Sequence, residues 1–330
     1  MATLSATKPT LVDWAKRKDP SGKTATIAEL LAQSNGVLDD MQWVEGNLET
    51  GSRVTVRTGL PTVYYRLMNQ GVPSSKSTTT QVDEGCAMLE ARSEVDLDLA
   101  KLNGNTAEFR LSEATAFIEA MNQSMVGKLF YGNAGTAPEE ITGFSTRYSS
   151  TTAGNGKNII KVGGAGSDNS SIWLIGWGAG KISGIFPKGS AAGLIHEDLG
   201  IGDAFDSSNN RYRAYLDRWQ WKWGLAVQDW RYAVRIANID ISNLVGKSSA
   251  ADLIDAMIMA IHRIPNLNAC NPSFYMNRSC FEMLDIQRRD DVVSGGGLVF
   301  SNVDGVPQQT FRGIPVRKVD QLLETEAVVS

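Results

Sequence analysis

Residues 211–241, RYRAYLDRWQWKWGLAVQDWRYAVRIANIDI, decide the fold. Trp219, Trp221, Trp223, Leu225 and Val227 occupy every second position, and Gln220, Lys222, Gly224 and Ala226 fall between them. That is the period of a strand with one apolar and one mixed face. After Val227 the phase slips to Trp230, Tyr232, Val234 and Ile236. A one-residue slip turns side chains to the opposite face, so a tight turn or bulge is expected at Gln228–Asp229, between two members of a long strand pair. Burying four tryptophans needs a partner surface, and the best candidate is a helix predicted at 111–131.

The 330-residue chain is 42% hydrophobic and carries 32 basic against 36 acidic residues, a net charge of −4. A chain of this size buries roughly three quarters of its unfolded surface, and this composition is not that of a disordered chain. Mild acidity argues against tight, sequence-independent nucleic-acid binding over a broad surface. No apolar run approaches the roughly 20 residues of a membrane span, and the N-terminus lacks the apolar core of a secretory signal. Cys86, Cys270 and Cys280 are an odd number in a long chain and are expected to be reduced thiols.

Taken in order, residues 1–23 form a polar arm with a basic cluster at Lys16, Arg17, Lys18 and Lys23. A short helix is expected from about Thr24, with Ile27, Leu30 and Leu31 on one face and Gly36 as its stop. The stretch VTVRTGLPTVYYRLMNQGVPSSKSTTTQVDEG, residues 54–85, is strand-prone and turn-rich but poor in core residues. Val54 and Val56 alternate with Arg53, Thr55 and Arg57. Pro61 and Pro73 confine the segment to sheet edges, and the Ser/Thr run at 74–80 reads as loop. A lone two-stranded hairpin is marginal in water, so this one either packs on its own chain or reaches onto a neighbour.

Residues 86–105 read as a strand or short helix ending in the turn LNGN. In the helix at 111–131, Phe117, Ile118, Met121, Met125 and Leu129 recur at helical spacing. Ser112 is its expected cap, and Gly132-Asn133 its stop. Residues 145–170 and 200–210 read as loops, with short strands between them. A second helix opens at Ser249-Ala-Ala-Asp252, a capping box with Asp in place of Glu, and Pro265 stops it. Phe274–Met276 is a buried strand, and a helix starts at Asn277 or Ser279. A loop at Gly295–Gly297 and strands near Leu298–Phe300 and Ile314–Val319 complete the chain.

Few residues invite a chemical reading. Gly176-Trp-Gly-Ala-Gly180-Lys181 fails as a phosphate loop, because Ile182 stands where Ser or Thr is required and no helix follows. His196-Glu197-Asp198 has no second histidine at ligand spacing, and the cysteines form no CxxC pair. No catalytic set, cofactor site or metal site is expected. The Trp219, Trp221 and Trp223 face is either core or a sugar-stacking platform. The second choice is the rival functional reading, a carbohydrate-binding or carbohydrate-active β-rich protein.

In this order the features resemble the major capsid (major head) proteins of tailed bacteriophages, of the short-tailed phage type, whose fold is shared by encapsulin shells. The polar hairpin is similar to the extended loop that crosses a neighbouring subunit. The helix 111–131 and LFYGNAGTAPEEITGF after it resemble the spine helix and its turn. ADLIDAMIMAIHRI, NPSFYMNRSCFEMLDIQRRDD and FRGIPVRKVDQLLETEA resemble the axial domain.

The resemblance implies an α+β capsid-shell fold. An N-terminal arm (1–40) is followed by an extended loop with its flanks (41–105). A peripheral domain (106–245) carries the spine helix and the long strands 211–241, and an axial domain with a return strand (246–330) closes the chain. In the usual order the axial module precedes the strand module. Here the strands from SIWLIGWG onward come first, so a permuted connectivity is expected.

The resemblance further implies a shell subunit, not an enzyme, forming pentamers and hexamers around double-stranded DNA. Its separate partners are a scaffolding protein, a portal and a decoration protein. It is assembled in the bacterial host cytoplasm and ends in the virion. Arg53, Arg57, Tyr64, Tyr65 and Arg66 are the expected subunit contacts.

Overall fold

The computed structural model describes residues 8–11, 13, 33–102, 106–246, 250–290, 298–303 and 306–330. The basic cluster at 16–23, the helix expected from Thr24, the Asn103–Asn105 turn, the Ser249 cap and the Gly295–Gly297 loop lie outside the described residues.

A short helix α1 (Val37–Asp40) and strand β1 (Trp43–Glu45) lead into the hairpin strands β2 (Gly51–Gly59) and β3 (Thr78–Asp96). Next come α2 (Leu97–Lys101), the long helix α3 (Thr106–Tyr131) and a single turn α4 (Phe144–Arg147). Strands β4 (Ile159–Lys161), β5 (Asn169–Trp177), β6 (Ile182–Phe186), β7 (Leu194–Phe205), β8 (Arg211–Val227) and β9 (Ala233–Asp240) follow. The chain then forms α5 (Ile241–Gly246), α6 (Leu253–Arg263), β10 (Asn271–Met276), α7 (Arg278–Asp290), β11 (Leu298–Val303), β12 (Val306–Phe311) and β13 (Ile314–Lys318).

β3 is the axis of one region. Its first part pairs with β2, and from Cys86 to Asp96 it pairs antiparallel with β8, Cys86 opposite Gly224 and Asp96 opposite Ala214. The other edge of β8 takes β7 along Arg211–Trp221 and β6 along Gly224–Val227. Helix α3 lies against these strands: Phe117 stacks on Trp219 with ring centroids 4.9 Å apart. Trp219 and Trp223 are each only 2% exposed, and Trp221 meets Trp43 at 6.1 Å. The tryptophan face is therefore core. The sugar-platform reading is overturned, because a buried ring offers a ligand no face.

A second region is built on β5, which pairs antiparallel with both β9 and β10, while β13 continues the sheet beyond β10. Phe130, Phe144, Tyr148, Trp173 and Trp177 cluster between β5 and the end of α3, with ring centroids 5.7–6.1 Å apart for the pairs Phe144–Trp173, Tyr148–Trp173, Phe130–Trp173 and Phe144–Trp177. Each ring so buried is worth about 1.5–3 kcal/mol. The chain enters this region with β4 and β5, leaves it for β6–β8, and returns with β9.

Several expectations need correction. β8 and β9 are not partners: the turn falls where the phase slips, but β9 pairs with β4 and β5. The turn is pinned by the Lys181 carbonyl, which accepts from the Gln228 and Asp229 amides at 2.7 and 3.2 Å. α3 begins at Thr106, so Ser112 is interior and its hydroxyl donates to the Phe109 carbonyl. Thr78–Thr80 belong to β3 rather than to a loop, because β2 supplies their register. Residues 145–170 include α4 and β4. β7 runs on to Phe205: Gly200, at φ +73°, absorbs a bulge after Asp198 instead of ending the strand. β12 was not expected at all.

Helix α6 is capped by Asp252, whose carboxylate accepts from the Asp255 amide at 2.9 Å. Asp252→Ala is expected to destabilise the fold by about 1 kcal/mol, read as a lowered urea midpoint. At the start of α7, the Asn277 side-chain oxygen accepts from the Cys280 amide at 2.8 Å, which selects Asn277 over Ser279 of the two starts the sequence leaves open. Burial pushes the Cys86 thiol up to about 11 and, foremost among its causes, the Cys280 thiol up to about 12, so both are neutral near pH 7.

Candidate assembly interface

The hairpin of β2 and β3 leaves the body at a tightly fitted root. A Cβ on Gly51 would stand 2.0 Å from the Glu84 carbonyl oxygen, so only glycine fits there. Glu84 is buried, and its carboxylate accepts two hydrogen bonds from the Arg147 guanidinium of α4, at 2.8 and 2.6 Å. This fork clamps the ribbon's root to the turn after α3. Glu84→Gln is expected to loosen the root by about 2 kcal/mol, the scale of charge-assisted hydrogen bonds. Faster amide exchange in β2 with an unchanged α6 is the measurement that checks it.

Beyond the root the ribbon is two-faced. Val54 stands opposite Val82, and Val56 opposite Thr80. On the other face Arg53 pairs with Asp83 at 2.6 Å, and its hydrogen bonds hold the Asp83 carboxyl below its usual value. Past Gly59 the two arms continue without regular pairing, joined by the Ser75 hydroxyl donating to the Thr62 carbonyl. They close in a turn at Leu67–Gln70 with Asn69 at φ +63°.

Among the described residues, nothing covers the tip. Tyr65, Met68 and Val63 are 109, 92 and 87% exposed, and Leu60, Leu67, Tyr64 and Val72 are exposed too. Contiguous apolar exposure of this kind marks an interaction surface. The only charged residues between 52 and 82 are Arg53, Arg57, Arg66 and Lys76, all basic.

The structure brings all five expected contact residues onto this one ribbon. Arg57, Tyr64, Tyr65 and Arg66 are exposed and toward the tip, while Arg53 is nearer the root and engaged with Asp83. Of the two placements left open by the sequence, packing of the hairpin tip on its own chain is not seen among the described residues. Sequence reasoning missed Leu60, Val63, Leu67 and Met68, although large apolar residues in a coreless segment were signal enough. It also missed the Glu84–Arg147 clamp, which no local pattern announces.

The other motifs supply no competing site. Gly176–Lys181 joins two strands. His196 lies on β7, stacked on Trp219, with its Nε2 3.0 Å from the Asp217 carboxylate, and Arg110 bridges Asp217 and Asp198 at 2.7 and 3.0 Å. The Gly200 amide, then Arg110, hold the Asp198 carboxyl below its ordinary value. These contacts tie α3 to the strand layer. Among the described residues, no group of three or more His, Cys, Asp or Glu could hold a metal ion, and no helix is long and apolar enough to cross a membrane.

A body with its own core and a ribbon that lacks one define a subunit made to join others. The family model of the major capsid protein GP7 matches residues 19–330. A chain from the structure of bacteriophage epsilon15 is 31% identical, with a TM-score of 0.79 over 100% of this chain and 99% of that one. The bacteriophage JBD30 capsid is similar at 9% identity and a TM-score of 0.49, covering 91% of this chain and 97% of that one. The SrpI encapsulin of Synechococcus elongatus PCC 7942 is similar at 11% identity and a TM-score of 0.43, covering 66% of this chain and 91% of that one. No curated protein matches. The chain belongs to the major capsid protein GP7 family. Its fold is the α+β phage capsid fold, and its function is that of a capsid shell subunit.

Proposed function

We propose that residues 51–85 are the contact by which each subunit engages the next, with Arg57, Tyr64, Tyr65 and Arg66 on the neighbour and Arg53 stiffening the ribbon. The observation that carries this is the tip: its large apolar side chains are exposed, and no described residue of the chain covers them. Head-to-tail contacts of this type close into rings, so pentamers and hexamers are the expected capsomers. Negative-stain microscopy of the expressed chain tests it, with shells or rings expected and dispersed single subunits at every concentration counting against it.

Strand pairing supports a division that follows space more than chain order. A peripheral unit comprises β3, β7 and β8 with α3, and an axial unit comprises β4, β5, β9, β10 and β13 with α6 and α7. The sequence boundary at 245/246 would separate β5 from β10, its own sheet neighbour.

The net charge of −4 suits a wall that encloses double-stranded DNA without gripping it. A structural rather than enzymatic role follows from the family. Scaffolding, portal and decoration proteins as partners, and the host cytoplasm before assembly, belong to the same reading.

A further inference from the structure

We propose that the loop between β4 and β5, with the end of β9, forms a site for a hard divalent cation of the calcium class. Asn169, the first residue of β5, stands opposite Asp240, the last residue of β9, in the antiparallel ladder. Directly opposite residues project from the same face of a sheet. Asn169 is fully buried, and its Oδ1 has no hydrogen-bond donor among the described residues. Its Nδ2 donates to the Gly166 carbonyl at 2.5 Å. Oδ1 and the Asn238 carbonyl oxygen each lie 2.5 Å from the spot where a Cβ on Gly164 would stand. Reversing the amide would set Oδ1 against the Gly166 carbonyl instead, so this buried oxygen faces a carbonyl in either orientation.

Two carboxylates complete the set. Asp168 Oδ2 accepts from the Ser242 amide at 3.1 Å, and Asp240 Oδ1 accepts from the Ser242 hydroxyl at 3.0 Å and the Asn243 amide at 2.8 Å. These bonds cap α5 and hold both carboxylates beside one residue. Their other oxygens turn to the loop: Asp168 Oδ1 lies 2.7 Å, and Asp240 Oδ2 3.6 Å, from the spot where a Cβ on Gly166 would stand. Asp240 Oδ2 also accepts from the Asn243 side-chain amide at 2.8 Å. Neither carboxylate forms an ion pair with a described residue. Carboxylate, amide and backbone oxygens are the ligands calcium takes, at about 2.3–2.6 Å and in irregular geometry. Two negative charges match one divalent ion. The ion would give Asn169 Oδ1 the partner that a buried polar atom requires, and would tie the β4–β5 loop to β9 and α5.

Isothermal titration of calcium chloride into the full chain, stripped with EDTA, tests the site. One saturable site with a dissociation constant of about 1 mM or tighter is expected. Hydrogen exchange should slow in residues 163–168 and 240–243 when calcium is added, and stay unchanged in α6. Asp168→Asn combined with Asp240→Asn removes the charge but keeps an oxygen for each cap, since asparagine caps as well as aspartate. That double variant is expected to bind calcium roughly tenfold more weakly or worse, with an unchanged circular dichroism spectrum in EDTA. Glu139→Gln combined with Glu140→Gln, an acidic pair elsewhere, should bind as the parent does. Absence of saturable binding at millimolar calcium, protection confined to other segments, or parental affinity in the Asp168/Asp240 variant would overturn the site. Should that variant fail to fold, the exchange map of the parent decides alone.

Discussion

Replacing residues 60–77 by Asn-Gly is expected to give a folded, soluble subunit that forms no shells. The exchange is local because Gly59 and Thr78 already stand opposite each other in the ladder, and Asn-Gly is the two-residue turn that suits such a pair. Nothing in the body loses a neighbour, since the removed side chains are exposed. What goes is association energy. Burying a large apolar side chain contributes about 1.5–3 kcal/mol, so Leu60, Val63, Tyr65, Leu67 and Met68 together represent on the order of 10 kcal/mol before ordering costs. Those costs are themselves about 4–15 kcal/mol per association, so losing the tip removes a contribution of the same size. Sedimentation and negative-stain microscopy check the outcome, and thermal unfolding of unassembled subunits should shift by no more than a few degrees. Shells of normal yield from the truncated chain would remove the tip from assembly.

The second large effect concerns stability. Arg235 on β9 and Glu326 in the C-terminal segment form an ion pair at 2.8 Å with side chains only 3% and 4% exposed. The Arg235 guanidinium also donates to the Ser171 hydroxyl and the Tyr148 carbonyl, and lies over the Trp173 ring. Tyr131, at the end of α3, donates to the other Glu326 oxygen. Burial first, then the Glu326 charge, push the Tyr131 phenol far above its ordinary value, so it remains a donor. Glu326→Ala leaves a buried guanidinium uncompensated and is expected to cost about 3–5 kcal/mol. Replacing both residues by leucine should cost much less, because a buried pair is close to neutral against apolar residues of similar volume. Urea denaturation of all three chains checks this. A single substitution within 1 kcal/mol of the parent would show that water reaches the pair.

The sequence revealed faces better than partners. The period of two from Trp219 to Val227 placed a strand and its buried side, and the slip after Val227 placed the turn. Nothing in a period says which strand lies alongside, so the pairing of β9 with β5 was invisible. Thr78–Thr80 carry no apolar alternation, and their strand state comes from Val56–Gly59 across the ladder. Gly200 has the composition of a turn, yet a left-handed glycine serves a bulge equally well. The assembly ribbon was legible through a deficit: a segment too poor in core residues to stand alone. Its clamp joins residues 63 apart in sequence, and the buried ion pair joins residues 91 apart. Contacts at such separations leave no local signature.

The unbroken course of β3 has a mechanical consequence. A pull on the outstretched end travels along one strand into the body, where β3 meets β8 through the paired run from Cys86 to Asp96. Antiparallel hydrogen bonds lie perpendicular to the strands, so this load falls on the whole run in shear rather than peeling it bond by bond. A container swollen from within would thus pull each member along its most resistant direction.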